Sequence, residues 1–344
     1  MREQLQKLLA REDLTRAEAR TLLQAILTGP ECEAEQGAHG IRVAAILTAL
    51  AAKGETAEEM AGFAEAMRAA MVDIGLDGHP RRWVDTCGTG GNARKVFNVS
   101  TAAALAAAGA GVPVAKHGNR TSTSVCGSAD VLEAMGVRLD FPAARLGACL
   151  EQVGIAFLFA PQLHPATRQV MPVRRALGVR TIFNALGPLT NPAGARAQVV
   201  GVASEALLTR MAEALQLLGT EHSFVVRSRD GIGEFSTTDV NDVIEIRKGQ
   251  AHRFMMDARE LGLSRADFST LHCERKEDAV EKMHSVLRGD KGELQDIVSL
   301  NAAAAMVAGG LAGDFREGIE RARSSLESGA AKRKLDELIA YTNR

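Results

Sequence analysis

The sequence predicts an α/β protein with a small N-terminal helical domain, a large α/β domain built on a mostly parallel central sheet, and a cleft between the two. Three observations predict it. The first 72 residues repeat apolar side chains at helical spacing and carry two capping-box patterns. From Arg81 onward, short apolar strands alternate with helices. Two glycine-rich turns each close a strand and open a helix.

In the helical part, Thr15-Arg-Ala-Glu18 and Thr56-Ala-Glu-Glu59 mark helix starts. Leu22, Leu23, Ile26 and Leu27 share one helical face, as do Met60, Phe63, Met67 and Met71. Gly29-Pro30 and Lys53-Gly54 separate the helices. The expected alternation is strand 83–86, helix 100–109, strand 112–115, helix 128–135 and strand 155–159. A polar, proline-punctuated insert covers 161–178, after which strands are expected at 199–202, 224–227 and 243–246. The last 70 residues read as mainly helical. The predicted division is a helical domain at 1–72, completed by the insert 161–180, and an α/β domain from 73–160 and 181–344.

Composition narrows the function. The chain has 344 residues, 46% hydrophobic and 24% charged, with a net charge of −1. A general nucleic-acid binder would be more basic, so no nucleic-acid partner is expected. Aromatics are only 4%, which disfavours a stacking surface, while abundant alanine and glycine suit closely packed helices. Five cysteines, at 32, 87, 126, 149 and 273, include no Cys-x-x-Cys pair, so neither a disulfide framework nor a zinc site is indicated. The N-terminus is charged and helical, and no 18-residue apolar run lacks charge or glycine. A cytoplasmic protein without a membrane partner is expected.

The first turn reads Asp85-Thr-Cys-Gly-Thr-Gly-Gly-Asn92, followed by Phe97-Asn-Val-Ser-Thr101. The second reads Lys116-His-Gly-Asn-Arg120, followed by Ser124-Val-Cys-Gly-Ser-Ala-Asp130. Glycines let the backbone approach a ligand, and a helix N-terminus presents unpaired N–H groups, so paired turns suit a large anion such as a multiply phosphorylated sugar. Each feature also has a plainer reading. The glycines can serve turn geometry alone, Asn98–Thr101 can be an N-cap, and Lys116–Arg120 can be a solvated loop. A P-loop is excluded because no Gly-Lys-Ser/Thr closes the turn, and a dinucleotide fingerprint fails for want of its third glycine. The insert adds His164-Pro-Ala-Thr-Arg168 and Pro172-Val-Arg-Arg175, whose arginines could supply a carboxylate fork or an exposed basic face.

Together, the blocks 88–101, 116–130 and 164–192 resemble the anthranilate phosphoribosyltransferases, members of the nucleoside-phosphorylase-like glycosyltransferases. The resemblance runs from Ala51-Ala-Lys-Gly-Glu-Thr56 to Leu300-Asn-Ala-Ala-Ala304, nearly the whole chain. It implies transfer of the phosphoribosyl group of 5-phosphoribosyl 1-diphosphate (PRPP) to anthranilate, in tryptophan biosynthesis. It further implies that Gly88, Gly91, Asn92, Val96, Asn98, Ser100, Thr101, Lys116, Ser124 and Ser128 line PRPP. Gly88, His117, Asn119, His164, Arg174 and Pro188 would face anthranilate, and Ser100 and Glu234 would hold Mg2+. No residue is expected to act as a catalytic acid or base.

Three positions depart from the family pattern. Asn92 replaces an aspartate, Val96 a threonine, and Gly233 the first residue of an Asp-Glu pair, leaving Glu234 alone. The rival readings are a pyrimidine-nucleoside-phosphorylase-like enzyme and a non-catalytic homologue that binds nucleic acid or another ligand. The resemblance also implies a homodimer through the N-terminal helices, for which the Met60/Phe63/Met67/Met71 stripe is a candidate face and equally a candidate piece of ordinary core.

Overall fold

The computed structural model describes residues 1–29, 36–76, 82–91, 93–120 and 125–344. Four helices open the chain: α1 (Arg2–Leu9), α2 (Arg16–Thr28), α3 (Gln36–Lys53) and α4 (Ala57–Ala69). Both capping boxes form. Thr15 Oγ1 accepts from the Glu18 N–H at 3.3 Å, and Glu18 accepts from the Thr15 N–H at 2.9 Å. Thr56 and Glu59 reciprocate in the same way at 3.2 and 2.8 Å. The fully buried Glu59 also accepts from the Leu14 N–H at 2.9 Å and pairs with Lys53 Nζ at 3.0 Å. One carboxylate thus ties the entry to α2, the end of α3 and the start of α4.

Leu22, Leu23, Ile26 and Leu27 are buried within the single chain, as are Met60, Phe63 and Met67. The α4 stripe is therefore domain core. Met71, the last residue of that stripe, lies beyond α4 and is half-buried.

The α/β part continues through β1 (Val84–Gly88), α5 (Val99–Gly109), β2 (Val114–Gly118), α6 (Ser128–Ala134), α7 (Leu146–Val153) and β3 (Ile155–Phe159). The insert holds α8 (Ala160–Leu163) and α9 (Met171–Leu177), and then come α10 (Phe183–Leu186), β4 (Ala197–Gly201) and α11 (Glu205–Leu217). Strands β5 (His222–Ser228), β6 (Asn241–Arg247) and β7 (Gln250–Met256) follow, then α12 (Phe268–Leu271), α13 (Lys276–Leu287), α14 (Glu293–Gly309), α15 (Phe315–Glu327) and α16 (Ala330–Thr342). The sheet order is β3-β2-β1-β4-β5-β6-β7. The first five strands pair in parallel, and β6 and β7 add an antiparallel edge.

Two cores flank the sheet. One joins it to α5, α14 and α16, where alanines let backbones approach closely: Ala102, Ala103, Ala104, Ala302, Ala303 and Ala304 are fully buried. A Cβ on Gly109 would lie 2.3 Å from Ser325 Oγ. The other core runs from α2, α3 and α4 through α11 onto the opposite face at Val200, Val225 and Ile246. The helical domain therefore shares its core with the sheet. In the insert, α9 packs on α3, and the 3-10 turn Pro165–Gln169 packs on α2. Among the described residues, no helix is long and apolar enough to cross a membrane.

Candidate functional site

The sheet order locates the site. From β1 the chain steps outward to β2 and β3, then resumes at β4 on the other side of β1. The carboxyl ends of strands at such a switch point form the usual ligand crevice of an open α/β sheet. Gly88 and Gly201 end β1 and β4 in direct register. A Cβ on Gly201 would fall 1.8 Å from the Gly233 carbonyl oxygen, and one on Gly88 would lie 3.3 Å from the Gly201 oxygen. These close approaches lay the turn 230–236 against the strand ends and bring Glu234 to Ser100, with which it hydrogen-bonds.

Beyond the β1 turn, Asn98 stands at the N-cap position of α5 but makes no capping bond. Its Nδ2 donates to the Cys126 carbonyl at 3.0 Å, while its Oδ1 is buried without a partner. Thr101 Oγ1 is buried and unpartnered as well. These orphaned atoms count against simple capping and leave polar groups for a ligand at the α5 N-terminus. Lys116 is buried beneath them, donating Nζ to the Thr86 carbonyl, with Ser100 Oγ at 3.5 Å. Burial lowers the Lys116 pKa and raises that of the fully buried Asp85. Gly88 and Gly91 are exposed at the turn, and Val96 forms an isolated bridge with His272. Ser128 opens α6, its Oγ accepting from the Asn119 N–H at 3.3 Å. Asn92 and Ser124 lie outside the described residues. Arg120, read above as part of an anion cradle, is instead engaged by Asp130 at 3.0 Å and Glu133 at 2.7 Å on α6.

In β2, His117 Nδ1 donates to the Gly187 carbonyl at 3.0 Å, which leaves Nε2 of the neutral ring as a bare acceptor. Among the described residues that Nε2 is buried without a partner, and the buried His164 ring, whose centroid lies 5.2 Å away, has only the Thr190 backbone to offset its desolvation. Burial pushes His117 down to about 4 and His164 to about 3, so both imidazoles are neutral near pH 7. Pro188, next to Gly187, is buried and its carbonyl accepts from Gln198 Nε2 at 2.7 Å. Asn119 lies exposed just past β2. Arg174 is half-buried on α9, its guanidinium 5.1 Å from the Phe183 ring centroid. Among the described residues, it enters no ion pair. A desolvated, unneutralised guanidinium is suited to a carboxylate.

Sequence reading missed the residues that hold these groups in place. Asn191 Nδ2 donates to Asp85 Oδ2 and to the Ala115 carbonyl, both at 2.8 Å, and Asp85 Oδ1 accepts from the His117 N–H at 3.1 Å. This buried network joins β1, β2 and the loop carrying Pro188. Asn301, on α14, accepts from the Phe235 N–H at 3.0 Å and donates to its carbonyl at 2.8 Å, which aims the adjacent Glu234. An asparagine inside an alanine-rich apolar helix was the available signal.

The residues present fit magnesium in one mode only. Among the described residues, no group of three or more His, Cys, Asp or Glu could hold an ion. Asp230 is already engaged by the Ile232 N–H at 3.1 Å, by Ser236 Oγ at 2.7 Å and by Thr238. Burial pushes Glu234 up to about 7, opposed by Lys116. Ser100 and Glu234 therefore offer a partial oxygen set, which suits an ion that keeps waters and takes its remaining ligands from substrate phosphates.

Comparisons with known proteins agree with this architecture. Residues 80–332 match the glycosyl transferase family α/β domain, and residues 2–71 its helical bundle domain. The anthranilate phosphoribosyltransferase of Roseiflexus castenholzii is 48% identical, with 100% of this chain and 98% of that protein covered. That of Chloroflexus aggregans is 47% identical, covering 99% and 98%. The crystal structure of the Thermus thermophilus enzyme of that name superposes with a TM-score of 0.91 at 41% identity, covering 99% of each chain. The Saccharomyces cerevisiae enzyme in complex with PRPP and Mg superposes with a TM-score of 0.89 at 27% identity, covering 99% of this chain and 97% of that one.

Proposed function

The chain belongs to the glycosyl transferase family whose α/β and helical-bundle domains it contains, and from that premise we propose that it is an anthranilate phosphoribosyltransferase. It transfers the phosphoribosyl group of PRPP to the amino group of anthranilate and releases pyrophosphate, a step of tryptophan biosynthesis. The observation that carries this reading is the set of polar groups left unmet among the described residues at the switch point: Asn98 Oδ1 and Thr101 Oγ1 on the donor side, and His117 Nε2 on the acceptor side.

The glycine turn after β1 and the N-terminus of α5 hold the phosphates with backbone N–H groups, backed by Lys116. Arg174 takes the anthranilate carboxylate. The aryl amine is neutral near pH 7, so attack needs no prior deprotonation. Neutral His117 presents its bare Nε2 as an acceptor that orients the amine N–H. As the C1–N bond forms and the C1–O bond to diphosphate breaks, the ribose passes through an oxocarbenium-like state, and the proton that the nitrogen then sheds passes to the departing diphosphate. Ser100 and Glu234 are the groups that would hold magnesium, which would supply neutralisation of the charge on the leaving diphosphate. Catalysis otherwise rests on fixing two ligands in line, which explains the lack of a catalytic triad.

A cytoplasmic setting suits this soluble-substrate chemistry. A homodimer through the N-terminal helices remains part of the proposal. Its support is now the exposed Leu9, just after Leu8 in α1, and Ile41 on α3, at 70% and 73% exposure.

The test follows anthranilate fluorescence in the presence of PRPP and Mg2+. Consumption that requires both supports the reading, and no consumption overturns it. Arg174→Ala is expected to raise the anthranilate KM at least tenfold, because a charge-assisted contact is worth about 1.5–3 kcal/mol, and to leave the PRPP KM nearly unchanged. An equal rise in both would place Arg174 elsewhere.

A further inference from the structure

Arg180 has no role in the reading above, yet it lies directly on the glycine turn. Its Nη1 donates to the Gly90 carbonyl at 2.8 Å and its Nη2 to the Thr89 carbonyl at 3.4 Å. A Cβ on Gly91 would fall 1.1 Å from Nη1 and 2.4 Å from Cζ, so the guanidinium occupies the space a side chain would need. The bareness of Gly91 thus serves Arg180. Gly90 and Gly91 both adopt left-handed backbone, at φ +64° and +73°.

A trans peptide points its carbonyl and its N–H in opposite directions. Drawing the Thr89 and Gly90 carbonyls toward Arg180 therefore turns the Gly90 and Gly91 N–H groups to the opposite face. Among the described residues, neither N–H has a backbone acceptor, whereas the Thr89 N–H donates to Gly201 at 2.9 Å. Two adjacent N–H groups without acceptors in such a tight turn make an anion-binding concavity, a nest. No ion pair among the described residues neutralises Arg180, and the acidic group that influences it is Glu55, between α3 and α4.

We propose that Arg180 is a positioning residue for the phosphoribosyl donor, clamping the carbonyls of the glycine turn so that the Gly90 and Gly91 N–H groups form a nest for a phosphate. The proposal rests on the reading that this turn takes PRPP. Arg180 lies six residues after Arg174. One segment thus carries both the acceptor-binding cation and the clamp on the donor turn.

The experiment compares wild type, Arg180→Ala and Arg180→Lys. Arg180→Ala is expected to raise the PRPP KM at least tenfold, to leave the anthranilate KM within twofold, and to weaken binding of inorganic pyrophosphate by a similar factor in calorimetry. Arg180→Lys keeps the charge but not the two-carbonyl fork, so an intermediate loss is expected. It also serves if the alanine variant does not fold. An unchanged PRPP KM, or equal rises in both KM values, in a variant that melts like wild type overturns the clamp. Pyrophosphate binding is read without turnover. A wild type that fails to consume anthranilate would overturn the functional reading, while a pyrophosphate loss in the variants would still support the nest.

Discussion

At the scale of single residues, the site is defined by groups that the fold leaves unmatched. His117 and His164 are the strongest case. Folding lowers their pKa values from about 6.5 to about 4 and about 3. Below pH 6.5 the unfolded chain takes up protons that the folded chain refuses. Their contribution to stability is full above that pH, falls away for His117 down to about 4, and continues to fall for His164 down to about 3. The slope is ~1.4 kcal/mol per pH unit for each histidine within its window. Melting temperature is expected to drop between pH 7 and 5, and His117→Asn with His164→Asn should flatten that drop; an unchanged slope would count against it. Gly233 has φ +75°, so Gly233→Asp carries a strain of about 1 kcal/mol. The variant should need less magnesium for half-maximal activity while melting somewhat lower, which a metal titration and a melting curve check together. Residue-level reading named Asn98 as a PRPP contact and His117 and Arg174 as anthranilate contacts, and the first two each leave one buried polar atom without a partner among the described residues. It misjudged Arg120, because partners at i+10 and i+13 on α6 depend on how the chain returns.

At the scale of elements, the helices were legible where local chemistry decides. Both capping boxes stand where the sequence put them. The strands of the glycine turns were ended two and three residues early, because Gly88, Lys116, His117 and Gly118 do not resemble strand residues in isolation. They belong to β1 and β2 because the sheet supplies Lys116 with a carbonyl acceptor and the His117 N–H with Asp85. Strand β7 was missed altogether. Four of its first four residues, Gln250, Ala251, His252 and Arg253, are exposed, so no apolar alternation marks it. The turn before β6 depends on a distant helix: Asn301→Ala would leave both the Phe235 N–H and carbonyl without the partners they now have. A loss of about 1–3 kcal/mol in urea unfolding is expected, with a higher magnesium requirement and an unaltered anthranilate KM. An unchanged magnesium midpoint would show that Asn301 does not aim Glu234.

At the scale of the whole molecule, the two-domain outline was readable from periodicity, but the shared second core was not. No local pattern announces that α11 will join the N-terminal bundle to Val200 and Val225 on the sheet. The same gap left the Met60/Phe63/Met67/Met71 stripe open between core and interface; Met60, Phe63 and Met67 find their partners within the chain. If copies associate through the bundle, Ile41→Glu should give a monomer in sedimentation at micromolar concentration without lowering the melting temperature. A wild type already monomeric there would remove the dimer. The jump from β1 to β4 has a further consequence for how the molecule comes into being. Val84 pairs with Ala197, so the middle of the sheet joins segments far apart in the chain. As the chain emerges from the ribosome, β1, β2 and β3 can assemble first, and one edge of β1 then waits for a strand not yet made. Such long-range closure is slow, and an open edge is a template for association with other chains. Fragments that stop before β4 should aggregate, while the complete chain, once β4 docks, buries that edge for good.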